Sequence, residues 1–318
     1  MQLDQTHVVI RLRTLAEIGD LALVMIRRYP TAILTGFTIG AVPWIVFNAL
    51  LLAWIPVRES AYSLQDEEAQ IQIWRYMYWM AVLVMLQAPA AGVFTTYFLG
   101  QAVFEHRPTW SSVFRNVSRQ AARWLYVLGF KRMAIPAMVF LAFRIGSQAD
   151  PFSDFLMPSG FLVFAAFMRG ARPFLPEILL LENCPLRSRS DQVIDARRRS
   201  RSLHSVMSTD LAGRFIAVAF VTFFLFLSVM YSLIWTRGIT LGTWDWDLFT
   251  MLVFYPLALW IVASFSIFVR LLGYLDTRIR LEGWEVDLAV RAERMRQFGD
   301  ESSLPPRREP VAATRGAL

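Results

Sequence analysis

Four uninterrupted apolar runs decide what this chain can fold into. They cover 31–55, 76–99, 215–235 and 248–269, and none contains Asp, Glu, Lys, Arg or His. Each matches the roughly 20 residues that carry an α-helix across about 30 Å of hydrocarbon. A lipid core offers the backbone no hydrogen-bonding partners, so runs of this length predict transmembrane helices.

Two further runs are interrupted by charge. The run 123–145 contains Lys131 and Arg132, and the run 155–181 contains Arg169, Arg172 and Glu177 with Pro173 and Pro176 among them. They read either as two spans with buried charges or as one re-entrant hairpin. Charge placement favours two spans. With six spans and the N-terminus inside, the inside segments hold 24 of the 32 basic residues and the three outside loops hold 4. That asymmetry follows the positive-inside rule. The hairpin would instead bury Asp150 and Asp154. The expected fold is therefore all-α and polytopic, with spans near 31–55, 76–99, 123–145, 155–181, 213–235 and 248–272 and both ends cytoplasmic.

Composition closes the other options. Only 18% of residues are charged, against about a quarter in soluble domains. The single cysteine, Cys184, cannot form an internal disulfide. A soluble enzyme, a disordered chain and a secreted disulfide scaffold are all excluded. The net charge of +7 is explained by topology, so no nucleic-acid partner is expected. The first run is too long for a signal-peptide core and lacks a small-residue cleavage site, so it reads as a retained anchor.

Outside the spans, residues 1–30 read as an interfacial helix, with Val8, Leu12, Leu15, Ala22 and Ile26 opposite Arg13, Glu17, Asp20 and Arg27. Similar basic lead-ins precede the third and fifth spans, so the chain can be parsed as three units of lead-in and hairpin. The membrane domain is expected over 31–275, a cytoplasmic helix extension over 276–300 and a disordered Pro/Arg-rich tail over 301–318.

Two constellations could carry function. Arg132, Arg169, Arg172 and Glu177 lie in the interrupted spans, with Arg132 and Arg169 about ten residues, or about 15 Å, from a membrane face. Buried arginines cost on the order of 2.5–3.5 kcal/mol each on insertion scales, so they usually face a cavity or a partner. They point either to a site for an anionic lipid headgroup or to snorkelling side chains. Asp276, Arg278, Arg280 and Glu282 form two i,i+4 pairs, and read either as helix stabilisation or as a docking face for a partner protein. The arginine run 197–201 suits a topology signal or anionic lipid headgroups.

Catalytic patterns are missing. His7, His106 and His204 have no metal-ligand spacing, and there is no Walker loop, G-x-G-x-x-G or G-x-S-x-G. No metal, cofactor or enzymatic activity is expected.

Three segments carry a family resemblance: AEIGDLALVMIRRYPTAILTGF (16–37), PEILLLENCPLRSRS (176–190) and LLGYLDTRIRLEGWEVDL (271–288). They resemble bacterial membrane proteins grouped with the glycerophosphoryl diester phosphodiesterase membrane domain. The resemblance implies an interfacial helix followed by about six spans in the bacterial inner membrane. The family's soluble catalytic barrel has no counterpart in this sequence. The expected function is a non-enzymatic subunit or scaffold of a cell-envelope process. The alternative is a transporter or lipid-handling protein using the arginine site.

Overall fold

A capping box starts the first helix: Thr14 accepts from the Glu17 backbone N–H while the Glu17 carboxylate accepts from the Thr14 N–H. This helix, α1 (Leu15–Arg28), opens a computed structural model that describes residues 13–59, 67–104, 108–141, 147–148, 150–187, 194–205, 207–244 and 246–283. After it come α2 (Thr38–Leu52), α3 (Trp54–Glu59), α4 (Glu67–Ala91), α5 (Val93–Phe104), α6 (Trp110–Arg119), α7 (Ala121–Trp124) and α8 (Lys131–Val139). The second half holds α9 (Pro151–Ala171), α10 (Leu175–Leu180), α11 (Ala196–Ser205), α12 (Ser208–Leu241) and α13 (Tyr255–Glu282). π-helical turns lead into α2, α8 and α13 at Ala32–Phe37, Leu125–Phe130 and Thr250–Phe254. No strand occurs among the described residues.

Four helices are long and apolar enough to cross a membrane: Ala32–Leu52, Pro151–Ala171, Ser208–Leu241 and Thr250–Glu282. The pair Ala69–Ala91 and Val93–Val103, bent by 42°, makes a fifth if it is one span. The fold is thus all-helical with four to five apolar candidate spans, which fits a multi-pass membrane protein.

Three expected spans are altered. The run 76–99 is bent rather than straight, because Pro89 lacks a backbone N–H and Gly92 sits at the break. The run 123–145 is helical over 121–141 but is interrupted by the π-helical turn, and it lies outside the apolar set. The run 155–181 is two helices. Asp150 caps α9 by accepting from the backbone N–H groups of Phe152 and Ser153, and Pro151 follows at its first position. α9 ends at Ala171, and Pro173 and Pro176 force a turn before α10.

α4 is the hub, packed against α2, α8, α9 and α13. α13 is the best covered of the candidate spans, with 61% of its apolar window buried against 6% in α12. In the interior Asn48 and Gln87 exchange side-chain amide hydrogen bonds at 2.8 and 2.6 Å, tying α2 to α4. The two helices also cross at Gly40, where an added Cβ would lie 2.0 Å from the Ala91 carbonyl oxygen. α1 packs on α13 with Ile18, Ala22 and Met25 buried, while Leu23 and Val24 are more than half exposed. Of the expected stripe, Ala22 is buried and Ile26 packs against the core, and Val8 and Leu12 lie outside the described residues.

One end of the bundle carries α1, α6, α10 and α11 and is called the basic end below. The opposite end is closed by Arg75, at 0% exposure, and Asp154, at 2%. Their two N···O contacts are both 2.7 Å, and Arg75 also donates to the carbonyls of Ser147 and Gln148. α12 is pinned at each end. Arg214 pairs with Asp276 at 2.8 Å, and Arg237 holds Asp247 through two contacts of 2.6 Å. The Arg237 hydrogen bonds, with burial opposing, hold the Asp247 carboxyl well below the usual carboxylate range. The buried residues of α12 are Leu211, Met230, Ile234 and Gly238.

Gly92 lies at the bend and Gly40 at the crossing, and the second gives a clean test. Gly40→Ala should cost about 1–3 kcal/mol by overpacking against backbone. Gly160→Ala, with nothing within 4 Å of the new Cβ, should be neutral or stabilising. Thermal unfolding in detergent reads the difference. Asp154→Ala should cost about 3–5 kcal/mol by stranding the Arg75 charge, and Arg75→Met with Asp154→Leu should recover most of that loss.

Candidate functional site

The break after α9 sets the site. It turns the chain so that α10 drops into the protein with Pro176, Glu177, Ile178, Leu179 and Leu180 all buried. Glu177 therefore lies in a short buried helix and not in a membrane span. Its Oε1 accepts from Arg270 Nε at 2.7 Å, and Arg270 Nη2 donates to Thr96 Oγ1 at 3.0 Å. One turn earlier on α13, Ser266 Oγ accepts from Arg169 Nη2 at 2.7 Å and donates to the Ala263 carbonyl. Ser266 and Arg270 share a face of α13, being four residues apart.

Three of the four expected site residues come together. Glu177 meets Arg270, and Arg132 and Arg169 both lie within electrostatic reach of Arg270 and repel it. Arg132 makes no hydrogen bond or ion pair with another described residue. Arg172 is not part of the group; it is exposed in the turn after α9 and acts electrostatically on His204. Arg270 is the residue that sequence reasoning missed. It borders the last apolar run and looks like a membrane-edge charge. The available signal was Glu177, a lone carboxylate in need of a cation.

The cluster is incompletely satisfied. Glu177 Oε2 and Arg270 Nη1 are both buried without a hydrogen-bond partner. Each such atom costs about 1–3 kcal/mol, more for a charged group, so native structures seldom keep one without a reason.

Arg169 and Arg270, though not Arg132 or Glu177, border a cavity of about 550 Å³ between α4, α9, α12 and α13. Arg169, Arg214 and Arg270 line its basic end, and Trp74, Tyr78 and Tyr255 line its far end. Between them the walls are Leu, Val, Ala, Met and Phe side chains. From Trp74 to Ala88 the cavity follows α4 for about 21 Å at helical rise. Arg214 is neutralised by Asp210 and Asp276.

The second expected constellation is engaged within the chain. Both i,i+4 pairs form, Asp276 with Arg280 at 2.9 Å and Arg278 with Glu282 at 2.6 Å. Asp276 is 1% exposed and also accepts from Arg214 and from the Arg13 backbone N–H. Glu282 also meets Arg199 of α11, which grips Glu182 through two hydrogen bonds, while Tyr274 donates to Glu182 at 2.6 Å. Burial pushes the Glu182 carboxyl up, but hydrogen bonds from Arg199 and Tyr274 outweigh it and leave a lowered pKa. In the arginine run, Arg197, Arg198 and Arg201 stay exposed and Arg199 turns inward. α13 stops at Gly283, whose φ of +65° suits glycine. The expected extension to 300 and the tail at 301–318 lie outside the described residues. No group of three or more metal-ligating side chains occurs among the described residues.

Compared with known proteins, the chain matches no family model, no curated protein and no solved structure. The resemblance to the phosphodiesterase membrane domain gains no support from these comparisons.

His204 gives a pH test beside the site. It is buried against Phe174, which lines the cavity, and its Nε2 accepts from the Phe174 N–H at 3.4 Å. Burial lowers its pKa below the ordinary 6.5, the hydrogen bond with the Ser200 backbone opposes that shift, and Arg172 adds to it. Protonation therefore favours the unfolded chain, so stability should fall as pH drops below about 6.5. Thermal unfolding of His204→Gln should show a flatter profile across that window.

Proposed function

We propose that this protein is a lipid-handling membrane protein that holds an anionic amphiphile, with the charged head at Arg169 and Arg270 and the chain in the cavity. The observation that carries the reading is one continuous apolar cavity with Arg169, which meets no carboxylate among the described residues, beside the Arg270–Glu177 pair at a single end. Its volume lies within the usual 300–1,000 Å³ of ligand sites. Its lining suits a hydrocarbon chain, and arginine forks suit a phosphate or carboxylate head.

The same reading takes the helix at 121–141 as a third span, which makes six. It places the basic end on the cytoplasmic side of a bacterial inner membrane, as the distribution of arginines supports. The scaffold reading draws on Asp276, Arg278, Arg280 and Glu282. Those side chains hold α11, α12 and the start of the chain to α13, so the cavity carries the stronger case. No catalytic step is part of the proposal.

The test is native mass spectrometry of protein taken from vesicles of equimolar phosphatidylglycerol and phosphatidylcholine. The wild type should retain phosphatidylglycerol preferentially. Arg169→Gln should lower that retention about tenfold, the equivalent of roughly 1.4 kcal/mol and close to one charge-assisted hydrogen bond. Filling the cavity with Ala166→Trp should lower retention of any lipid while leaving helicity unchanged. Equal retention of both lipids by the wild type would overturn the reading.

A further inference from the structure

The shape of the cavity limits how many chains its occupant can carry. At the basic end its lining is closed, with Ile18, Phe174, Leu211, Ser266 and Arg270 all buried. Phe215 of α12 packs on Gly170 of α9 there, where an added Cβ would lie 3.2 Å from the phenyl ring. Toward the far end, Trp74 and Phe223 are each more than half exposed. The arginines thus stand at the blind end, and the cavity opens away from them.

That polarity decides between lipid shapes. A two-chain lipid branches at its glycerol, directly beside the head. With the head seated at the blind end, both chains must run along the cavity together. A methylene takes up about as much room as a water in the liquid, about 30 Å³, so 550 Å³ holds roughly 18 of them. One chain of ordinary membrane length fills that space. Two chains would have room for about nine methylenes each, and the surplus would press on packed walls.

Resting on the amphiphile reading above, we infer that the occupant carries a single hydrocarbon chain, as a fatty acid or a lysophospholipid does. Arg270 is paired with Glu177, and Arg169 meets no carboxylate among the described residues. The lining arginines therefore leave about one positive charge for the head, which a carboxylate or a phosphodiester matches. A two-chain lipid with the same head is held more weakly, because its second chain is crowded.

Native mass spectrometry of the wild-type protein from phosphatidylcholine nanodiscs tests this. Oleate, oleoyl lysophosphatidylglycerol, oleoyl lysophosphatidylcholine and dioleoyl phosphatidylglycerol are added at equal mole fractions. Lysophosphatidylglycerol should be retained at least about tenfold over dioleoyl phosphatidylglycerol, the order of effect expected from overpacking. It should also be retained over lysophosphatidylcholine. Oleate retained above lysophosphatidylglycerol would assign a carboxylate head to the single-chain occupant, and the reverse order a phosphodiester head. Phe215→Ala, which makes room where a second chain branches, should narrow the tenfold preference to about threefold or less.

Retention of dioleoyl phosphatidylglycerol equal to that of lysophosphatidylglycerol, with both above their choline counterparts, would overturn the single chain and leave the amphiphile reading standing. No preference of either over its choline counterpart would overturn both. Because the lipid series is run on the wild type, a variant that fails to fold does not decide the result.

Discussion

Glu177 is the single carboxylate among three guanidinium groups, and the interior of the basic end is organised by that shortage. Its pair with Arg270 fixes α10 to α13, and Arg270 reaches on to Thr96 of α5. Removing Glu177 would leave buried positive charge with no opposing group, the costliest arrangement for such a site. The pair thus serves the fold, while Arg169 borders the cavity with no carboxylate partner among the described residues. Both roles depend on the break at Pro173, since a continuous helix through 181 would carry Glu177 along α9 instead of into the protein.

The remaining ionic ties work differently. Arg75 meets Asp154 and Arg237 meets Asp247 through two contacts each, at the end away from the cavity arginines. These pairs close the bundle. At the basic end, Asp276 and Glu182 each collect donors from several segments, which sets α11, the start of α12 and the residues before α1 against α13. Those acidic residues each meet several donors, whereas Glu177 is outnumbered by the arginines around it.

Much of the architecture was legible because the lipid core imposes a simple rule on the backbone. The apolar run 215–235 falls within a long helix, and the runs 31–55 and 248–269 overlap the long helices Ala32–Leu52 and Thr250–Glu282 for most of their length. The bend near Gly92 was less legible, although Pro89 and Gly92 are both visible within the run. Hydropathy counts apolar residues and carries no information on direction. The limits of the fourth helix were misplaced because Asp150 and Pro151, a cap and a first-turn proline, outweigh the point where apolarity begins. At the site, Arg132, Arg169 and Glu177 stood out as charges in apolar company. Arg270 did not, because its partner lies 93 positions away in sequence and no local periodicity links the two.

α12 is anchored by ion pairs near its two ends, and its buried residues are Leu211 near the start and Met230, Ile234 and Gly238 toward the finish. The stretch between them forms one wall of the cavity. Mechanically this helix is a beam clamped at its supports and unloaded at midspan. Bowing it outward would separate weak dispersion contacts while leaving both clamps intact. The most compliant wall of the chamber is therefore the midspan of α12, which can yield sideways without any part of the scaffold coming undone.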